Sequence, residues 1–344
     1  MRALMKMKNG KNAIEIVDID EPAVSRDLVK IRVKYCGICG SDLHAYHGTY
    51  PGTKPPVVLG HEFSGEVVEI GPHVTRIKIG DRVTSETTYS TCNNCIQCIT
   101  KNYNLCSTRK GLGTQVNGAM ADYVLSREES LHIIPENVSY LSAALTEPLA
   151  CGVHAVLEKV TIHSGETICI FGPGTIGLLA GQVAKSQGAE VIMTGVSKDI
   201  HRLKLAKQLG FHTINQEDED VESLVRTLTD SVGVDKCIEC SGAIEALNTA
   251  IKITKKRGDI VQMGVFSNDY NIIDTQSILQ KELNYIGSRS QKPSSWVKTI
   301  ELLGEEIIQP ENIVSSIISL DEWEKGFQSL DDSKEIKIVF DLSK

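Results

Sequence analysis

Residues 167–184 read TICIFGPGTIGLLAGQVA. Thr167–Phe171 is a short, apolar, β-type run, Gly172-Pro173-Gly174-Thr175-Ile176-Gly177 follows it, and Leu178–Ala184 continues as an apolar helical pattern. Glycines spaced G-x-G-x-x-G between a strand and a helix allow a tight turn. They also let backbone approach a pyrophosphate, which sits at the positively polarised helix N-terminus. Gly172, Gly174, Thr175, Ile176 and Gly177 are therefore candidate dinucleotide-binding residues. The stretch is also the longest uncharged run, close to membrane-span length, but Gly172, Pro173, Gly174, Gly177 and Gly181 punctuate it, and the turn explains it better than a membrane span does.

Outward from this turn, strand and helix patterns alternate. Strands are expected at Thr167–Phe171, Glu190–Thr194, His212–Ile214, Val234–Glu239, Asp259–Met263 and Leu283–Ile286, with helices such as Asp199–Leu209 and Ala243–Thr254 between them. Alternation of this kind predicts a doubly wound parallel sheet with helices on both faces, an α/β Rossmann domain. Before about residue 155 the texture differs. Short β-type segments such as Leu28–Val33, Glu66–Ile70 and Ala121–Leu125 are broken by Gly and Pro. After Gly287 a helix carrying Trp296, Leu302 and Leu303 leads to a last strand, Ile336–Phe340, and this tail is expected to rejoin the first domain. The domains predicted are thus 1–155 with 288–344, and 156–287. The acidic run Glu217–Glu222 reads as a solvated loop or helix start.

An acidic residue usually lies about twenty residues beyond such a turn, where it binds the ribose hydroxyls of NAD. Here the stretch is Thr194-Gly195-Val196-Ser197-Lys198-Asp199-Ile200-His201-Arg202. Ser197 can hydrogen-bond a phosphate and Lys198 and Arg202 can neutralise one, which points to the 2′-phosphate of NADP. The plainer alternative is that both cations solvate a helix start.

The chain's 344 residues exceed what one hydrophobic core usually serves, and a hydrophobic share of 41% supports two ordinary globular domains. A net charge of −8 argues against nucleic-acid and anionic-membrane partners and leaves small molecules as the expected ligands. The start, MRALMKMKNGK, has no apolar segment of signal-peptide length, so a cytoplasmic location is expected.

Of ten cysteines, Cys92, Cys95, Cys98 and Cys106 fall within fifteen residues. Four soft thiolates on one short lobe, about residues 90–110, suit a tetrahedral structural zinc; unligated thiols, an iron–sulfur cluster and a nucleic-acid-binding zinc module are the alternatives. A second constellation is scattered: Gly37-Ile38-Cys39-Gly40-Ser41-Asp42-Leu43-His44, then Gly60-His61-Glu62, then Thr146-Glu147-Pro148-Leu149-Ala150-Cys151. A thiolate, an imidazole and a carboxylate from separate segments can form a three-ligand zinc site open to substrate. Against this stands the buried-core reading of a lone His or Cys. Cys237-x2-Cys240 lies on an expected strand without a second pair and reads as buried structure, as does Cys169.

Together these motifs resemble the zinc-containing medium-chain dehydrogenase/reductase family, in its sorbitol (polyol) and threonine dehydrogenase branch, over essentially the whole chain. The resemblance implies a GroES-like β-rich catalytic domain with a Rossmann domain inserted. It implies two zinc ions per chain, NADP or NAD, a homo-oligomer (tetramer or dimer), and hydride transfer between a secondary alcohol or polyol, or a ketose, and the nicotinamide. It assigns catalytic zinc to Cys39, His61, Glu62 and Glu147, with Glu147 favoured as third ligand, and leaves Cys36 a structural role. Cys151 departs from that pattern, since it matches the third ligand of ethanol-type members. Ser41 and His44 are implied as a proton relay, and Glu62 and Arg289 as further active-site residues. Ser197 with Lys198 and Arg202 looks like the arrangement of NADP-using ketose reductases of the branch. Ser290 stands where sorbitol dehydrogenases tend to have an aromatic residue, which argues against sorbitol itself. The alternatives are a threonine-type dehydrogenase using NAD and, outside enzymes, a dinucleotide-binding redox sensor.

Overall fold

The structure is a computed structural model and describes residues 1–343. The chain divides into two compact units, Met1–Ala150 with the segment from Gln291 onward, and Cys151–Ser290. From sequence the seams are expected at 155 and 288.

The first unit is built on a seven-stranded sheet. Leu28–Gly37 lies at its centre, antiparallel to Glu62–Ile70 on one side and to Lys337–Asp341 on the other, and pairs also with Tyr123–Arg127. Alternating side chains from these strands, among them Val29, Ile31, Val33, Phe63, Val67, Ile338 and Phe340, are fully buried in one core. The register sets Gly37 opposite both Glu62 and Val339, and Cys36 opposite both Phe63 and Phe340. Two later segments, the loop beyond Gly37 and the turn before Glu62, thereby leave the same end of adjacent strands.

That turn depends on Gly60. Its φ is +89°, and a Cβ there would lie 2.6 Å from Met120 Cγ and 2.8 Å from Cys36 Sγ. Only glycine fits both the backbone and the space.

The second unit is a six-stranded parallel sheet. Its strands, numbered in chain order, are β1 (Thr167–Phe171), β2 (Glu190–Gly195), β3 (His212–Asn215), β4 (Val234–Glu239), β5 (Thr254–Gln262) and β6 (Asn284–Gly287). Their order across the sheet is β3-β2-β1-β4-β5-β6, all parallel, which is the doubly wound Rossmann order. The expected doubly wound sheet is therefore present. The helix after the glycine turn, α1 (Thr175–Ser186), buries Leu178, Leu179, Ala180, Val183 and Ala184. The helix α2 (Ile200–Gln208) follows β2, and α3 (Ile244–Ile253) runs straight into β5 with no loop between them.

The expected strand Asp259–Met263 was thus too short, because β5 starts at Thr254. The intervening TKKRG lacks apolar alternation, and Arg257 breaks the extended backbone with a φ of 62°. Among the described residues no helix is long and apolar enough to cross a membrane.

Substituting Gly60→Ala is expected to lower the stability of the first unit by about 2–4 kcal/mol, from conformational strain plus overpacking. Gly80 has a similar φ of +92° but nothing within 4 Å of its would-be Cβ. Gly80→Ala should therefore cost only about 1 kcal/mol. Calorimetric unfolding of both variants checks the difference.

Candidate functional site

Cys39 stands immediately before the helix Gly40–His47, and its backbone N–H donates to Asp42 Oδ2 at 2.9 Å. His61 and Glu62 leave the Gly60 turn at the start of the neighbouring strand. Cys39 Sγ, a ring nitrogen of His61 and a carboxylate oxygen of Glu62 all lie within 4.8 Å of one another. Burial disfavours charge on His61, but a hydrogen bond and Coulomb attraction from Cys39, with Asp42 and Glu147 adding, outweigh it and raise its pKa well above the imidazole range. His61 Nδ1 is buried and has no hydrogen-bond partner among the described residues.

Glu62 Oε2 is ion-paired with Lys337 Nζ, and each side chain is only 2% exposed. The same ammonium donates to Ile38 O at 2.8 Å. Burial works against the Lys337 charge, yet Glu62, Cys39 and Glu147 hold its pKa above the usual lysine value. Glu147, on the helix Thr146–Val153, stands outside the 4.8 Å group but feels the same charges. Its Oε1 accepts from Gln291 Nε2 at 2.7 Å. Burial pushes its carboxyl up to about 7, with Glu62 adding to the rise and His61, Lys337 and Gln291 opposing it.

The four lobe cysteines also converge, all four sulfurs lying within 4.8 Å of one another. Cys95–Cys98, Cys106–Cys92 and Cys92–Cys98 sulfurs are 3.5, 3.7 and 3.8 Å apart. A zinc tetrathiolate with Zn–S of about 2.3 Å has tetrahedral edges of about 3.8 Å, so the donor set fits that ion. Cys106 is drawn down to about 6 by the Cys92 backbone N–H and the Thr108 hydroxyl, against some desolvation.

In the second unit the carboxyl ends of β1, β2 and β4 border a cavity of about 550 Å³, lined among others by Gly172, Gly174, Lys198, Arg202, Gln216 and Ser241. Gly172 has φ +94°, and a Cβ on it would press on Ser241 at 3.0 Å, while one on Gly177 would strike the Gly172 carbonyl. A Cβ on Gly174 would meet no protein atom within 4 Å, so packing within the protein does not require glycine there. It would instead project into the cavity, which suits backbone approach to a pyrophosphate. Thr175 and Ile176 open α1. Arg202 Nη1 is bonded to Asp199 Oδ1 at 3.1 Å, so part of its charge is already engaged.

Ser41 and His44 lie three residues apart on the helix Gly40–His47 and share its face. His44 is exposed, with Nδ1 3.3 Å from Thr49 Oγ1. Arg289 is exposed after β6 and belongs to the second unit, as does Cys151. Cys169 and Cys237 are buried neighbours on β1 and β4, whereas Cys240 lines the cavity and so is not the wholly buried residue expected. Lys337 and Gln291 escaped sequence reasoning; the one available signal was a lysine set in the apolar strand pattern Lys337-Ile338-Val339-Phe340.

The family model of the alcohol dehydrogenase GroES-like domain matches residues 25–136, and that of the zinc-binding dehydrogenases matches 175–305. The chain is 47% identical over 342 residues to the D-arabitol-phosphate dehydrogenase of Enterococcus avium, covering 99% of this chain and 97% of that one. It is 46% identical over 340 residues to a sorbitol dehydrogenase of Halalkalibacterium halodurans, covering 98% of each. Among solved structures, a Sinorhizobium meliloti protein classed as a zinc-binding dehydrogenase and bound to NADP superposes with a TM-score of 0.91, at 32% identity and 98% coverage of each chain. With a GroES-like β-rich unit, a Rossmann unit and relatives of this closeness, the chain belongs to the zinc-containing medium-chain dehydrogenase/reductase family, in its polyol and threonine dehydrogenase branch.

Proposed function

We propose that the protein is a zinc-dependent oxidoreductase that interconverts a polyol, free or phosphorylated, and the corresponding ketose with NADP or NAD, NADP being favoured. The observation that carries this reading is the convergence of Cys39, His61 and Glu62 within 4.8 Å in a chain of this family. Similarity to an arabitol-phosphate and a sorbitol dehydrogenase supports the polyol class, and threonine dehydrogenases stand further off, at 33% identity for one from Bacillus velezensis.

Cys39 and His61 would hold the catalytic zinc with a carboxylate from Glu62 or Glu147, and Cys92, Cys95, Cys98 and Cys106 would hold a structural one. When bound, the catalytic metal polarises the substrate hydroxyl as a Lewis acid and the nicotinamide takes up the hydride. The chain's residues do the rest. Lys337 offsets the Glu62 charge, so that three acidic donors do not repel one another in a buried space. Ser41 receives the hydroxyl proton and His44, exposed one turn further on, passes it to water. Gly174 keeps the helix N-terminus of α1 open to the pyrophosphate, and Lys198 and Arg202 face the adenosine end. Arg289 is carried as a further active-site residue on the family resemblance alone. Assembly into a dimer or tetramer and a cytoplasmic location are part of the same proposal and rest on the family resemblance.

Metal analysis of the purified protein should give two zinc ions per chain. Cys39→Ser should lose one of them and lose hydride transfer while unfolding as the parent does; Cys95→Ser should lose the other and unfold more readily. Parent-like turnover in zinc-depleted Cys39→Ser would refute the mechanism. Lys337→Met leaves a buried carboxylate uncompensated and is expected to cost about 3–5 kcal/mol in denaturant unfolding. Lys337→Met combined with Glu62→Gln should recover most of that loss.

A further inference from the structure

The acidic run after β3 is an exposed turn and helix start, as expected, but one of its carboxylates also has a partner just past the end of β2. Gln216 N donates to Gly195 O at 2.9 Å and Gln216 Nε2 to Thr194 Oγ1 at 2.8 Å, which ties the run to the end of β2. Glu217, the next residue, turns its carboxylate onto Ser197. Ser197 N donates to Glu217 Oε2 at 3.1 Å, and the Ser197 side chain stands close enough to help stabilise that carboxylate. Asn215 Nδ2 in turn donates to Ser197 Oγ at 3.1 Å. These bonds hold the Glu217 carboxyl below its usual pKa. Ser197 occupies the place where Rossmann proteins that bind NAD carry the acid that reads the ribose 2′-hydroxyl. The backbone N–H and hydroxyl there are the donors a 2′-phosphate would need. Lys198, Arg202, Asp199 and Glu245 line the cavity, and Glu217 adds a further carboxylate at Ser197 beside it.

We propose that Glu217 tempers the NADP preference: its carboxylate, supplied from the turn that follows β3, takes the Ser197 N–H in competition with the 2′-phosphate of NADP and accepts from the 2′-hydroxyl of NAD. A residue twenty positions beyond Ser197 thus restores the acid that the end of β2 lacks. NADP binds by displacing it, with Lys198 and Arg202 then facing the phosphate. The inference rests on the proposed assignment of this cavity to a nicotinamide dinucleotide.

The test is calorimetric binding of NADPH and NADH, and of adenosine 2′,5′-bisphosphate and 5′-AMP as fragments lacking the nicotinamide, to the parent, Glu217→Gln and the double variant Ser197→Ala with Glu217→Gln. Removing one negative charge beside the phosphate should shift the NADPH-to-NADH affinity ratio about tenfold toward NADPH in Glu217→Gln. The two fragments should shift in the same sense. The double variant should lose part of that gain, because the Ser197 hydroxyl is gone while the backbone N–H of residue 197 remains. A ratio unchanged within about twofold, with both cofactors still binding, overturns the role of Glu217 and leaves the cavity assignment standing. Failure of every one of the four probes to bind the parent overturns the assignment itself, and the proposal with it.

Discussion

A buried ion pair between Glu62 and Lys337 governs the first unit. The two residues are 275 positions apart in sequence, and each side chain is 2% exposed. An isolated charge in such a place costs several kcal/mol, so neither strand can dock stably without the other. Gly37 lies against the pair, where a Cβ would approach Lys337 Cε to 2.9 Å. The central strand must therefore carry glycine at the point where it is flanked by Glu62 and Val339. Cys39 leaves the sheet two residues after Gly37 and His61 enters one residue before Glu62. The ladder between Leu28–Gly37 and Glu62–Ile70 brings the thiol and the imidazole to one end of the sheet, and the ion pair ties the third strand, Lys337–Asp341, to that same end.

The field around those groups has one sign. Cys39, Asp42, Glu62 and Glu147 are acids, and Lys337 and His61 are the cations among them. Lys337 balances one carboxylate. The remaining acids raise the proton affinity of His61, which means the cluster favours positive charge at its centre. The proton affinity of Glu147 shifts in the same direction, with burial and Glu62 together favouring its neutral form. A carboxyl near neutrality beside a thiol and an imidazole can accept either a proton or a cation.

What could be read from sequence was local. The strand Thr167–Phe171 is legible because a β-type run, the glycines and an apolar helix follow one another within eighteen residues. Even there the expected helical run Leu178–Ala184 missed the first turn, since α1 begins at Thr175 among the glycines. The cysteine lobe is legible for the same reason. Lys337 was not, because its meaning lies in a partner on a distant strand, and a lysine in a five-residue strand otherwise reads as an exposed edge. Glu217 was hidden differently. Its neighbours Asp218, Glu219 and Asp220 make the run look solvated, and Asp220 does cap the helix Val221–Leu228. Only the adjacency of β2 and β3 brings one acid of the run against Ser197.

Three features of this chain are left unexplained by its own packing, and they coincide with the three sites. Gly172 and Gly177 are required by protein atoms that a side chain would strike, whereas Gly174 is not, although it lines the cavity at the N-terminus of α1. His61 Nδ1 is buried without a partner among the described residues, which costs about 1–3 kcal/mol unless a further group completes its bonding. Four thiols crowd onto a short lobe where Ile96 and Ile99 are two-thirds exposed, so no local core accounts for their convergence. A folded chain retains such uncompensated features where another interaction offsets their cost. A pyrophosphate beside Gly174, a cation among Cys39, His61 and Glu62 and a tetrahedral ion at the lobe would be interactions of that kind.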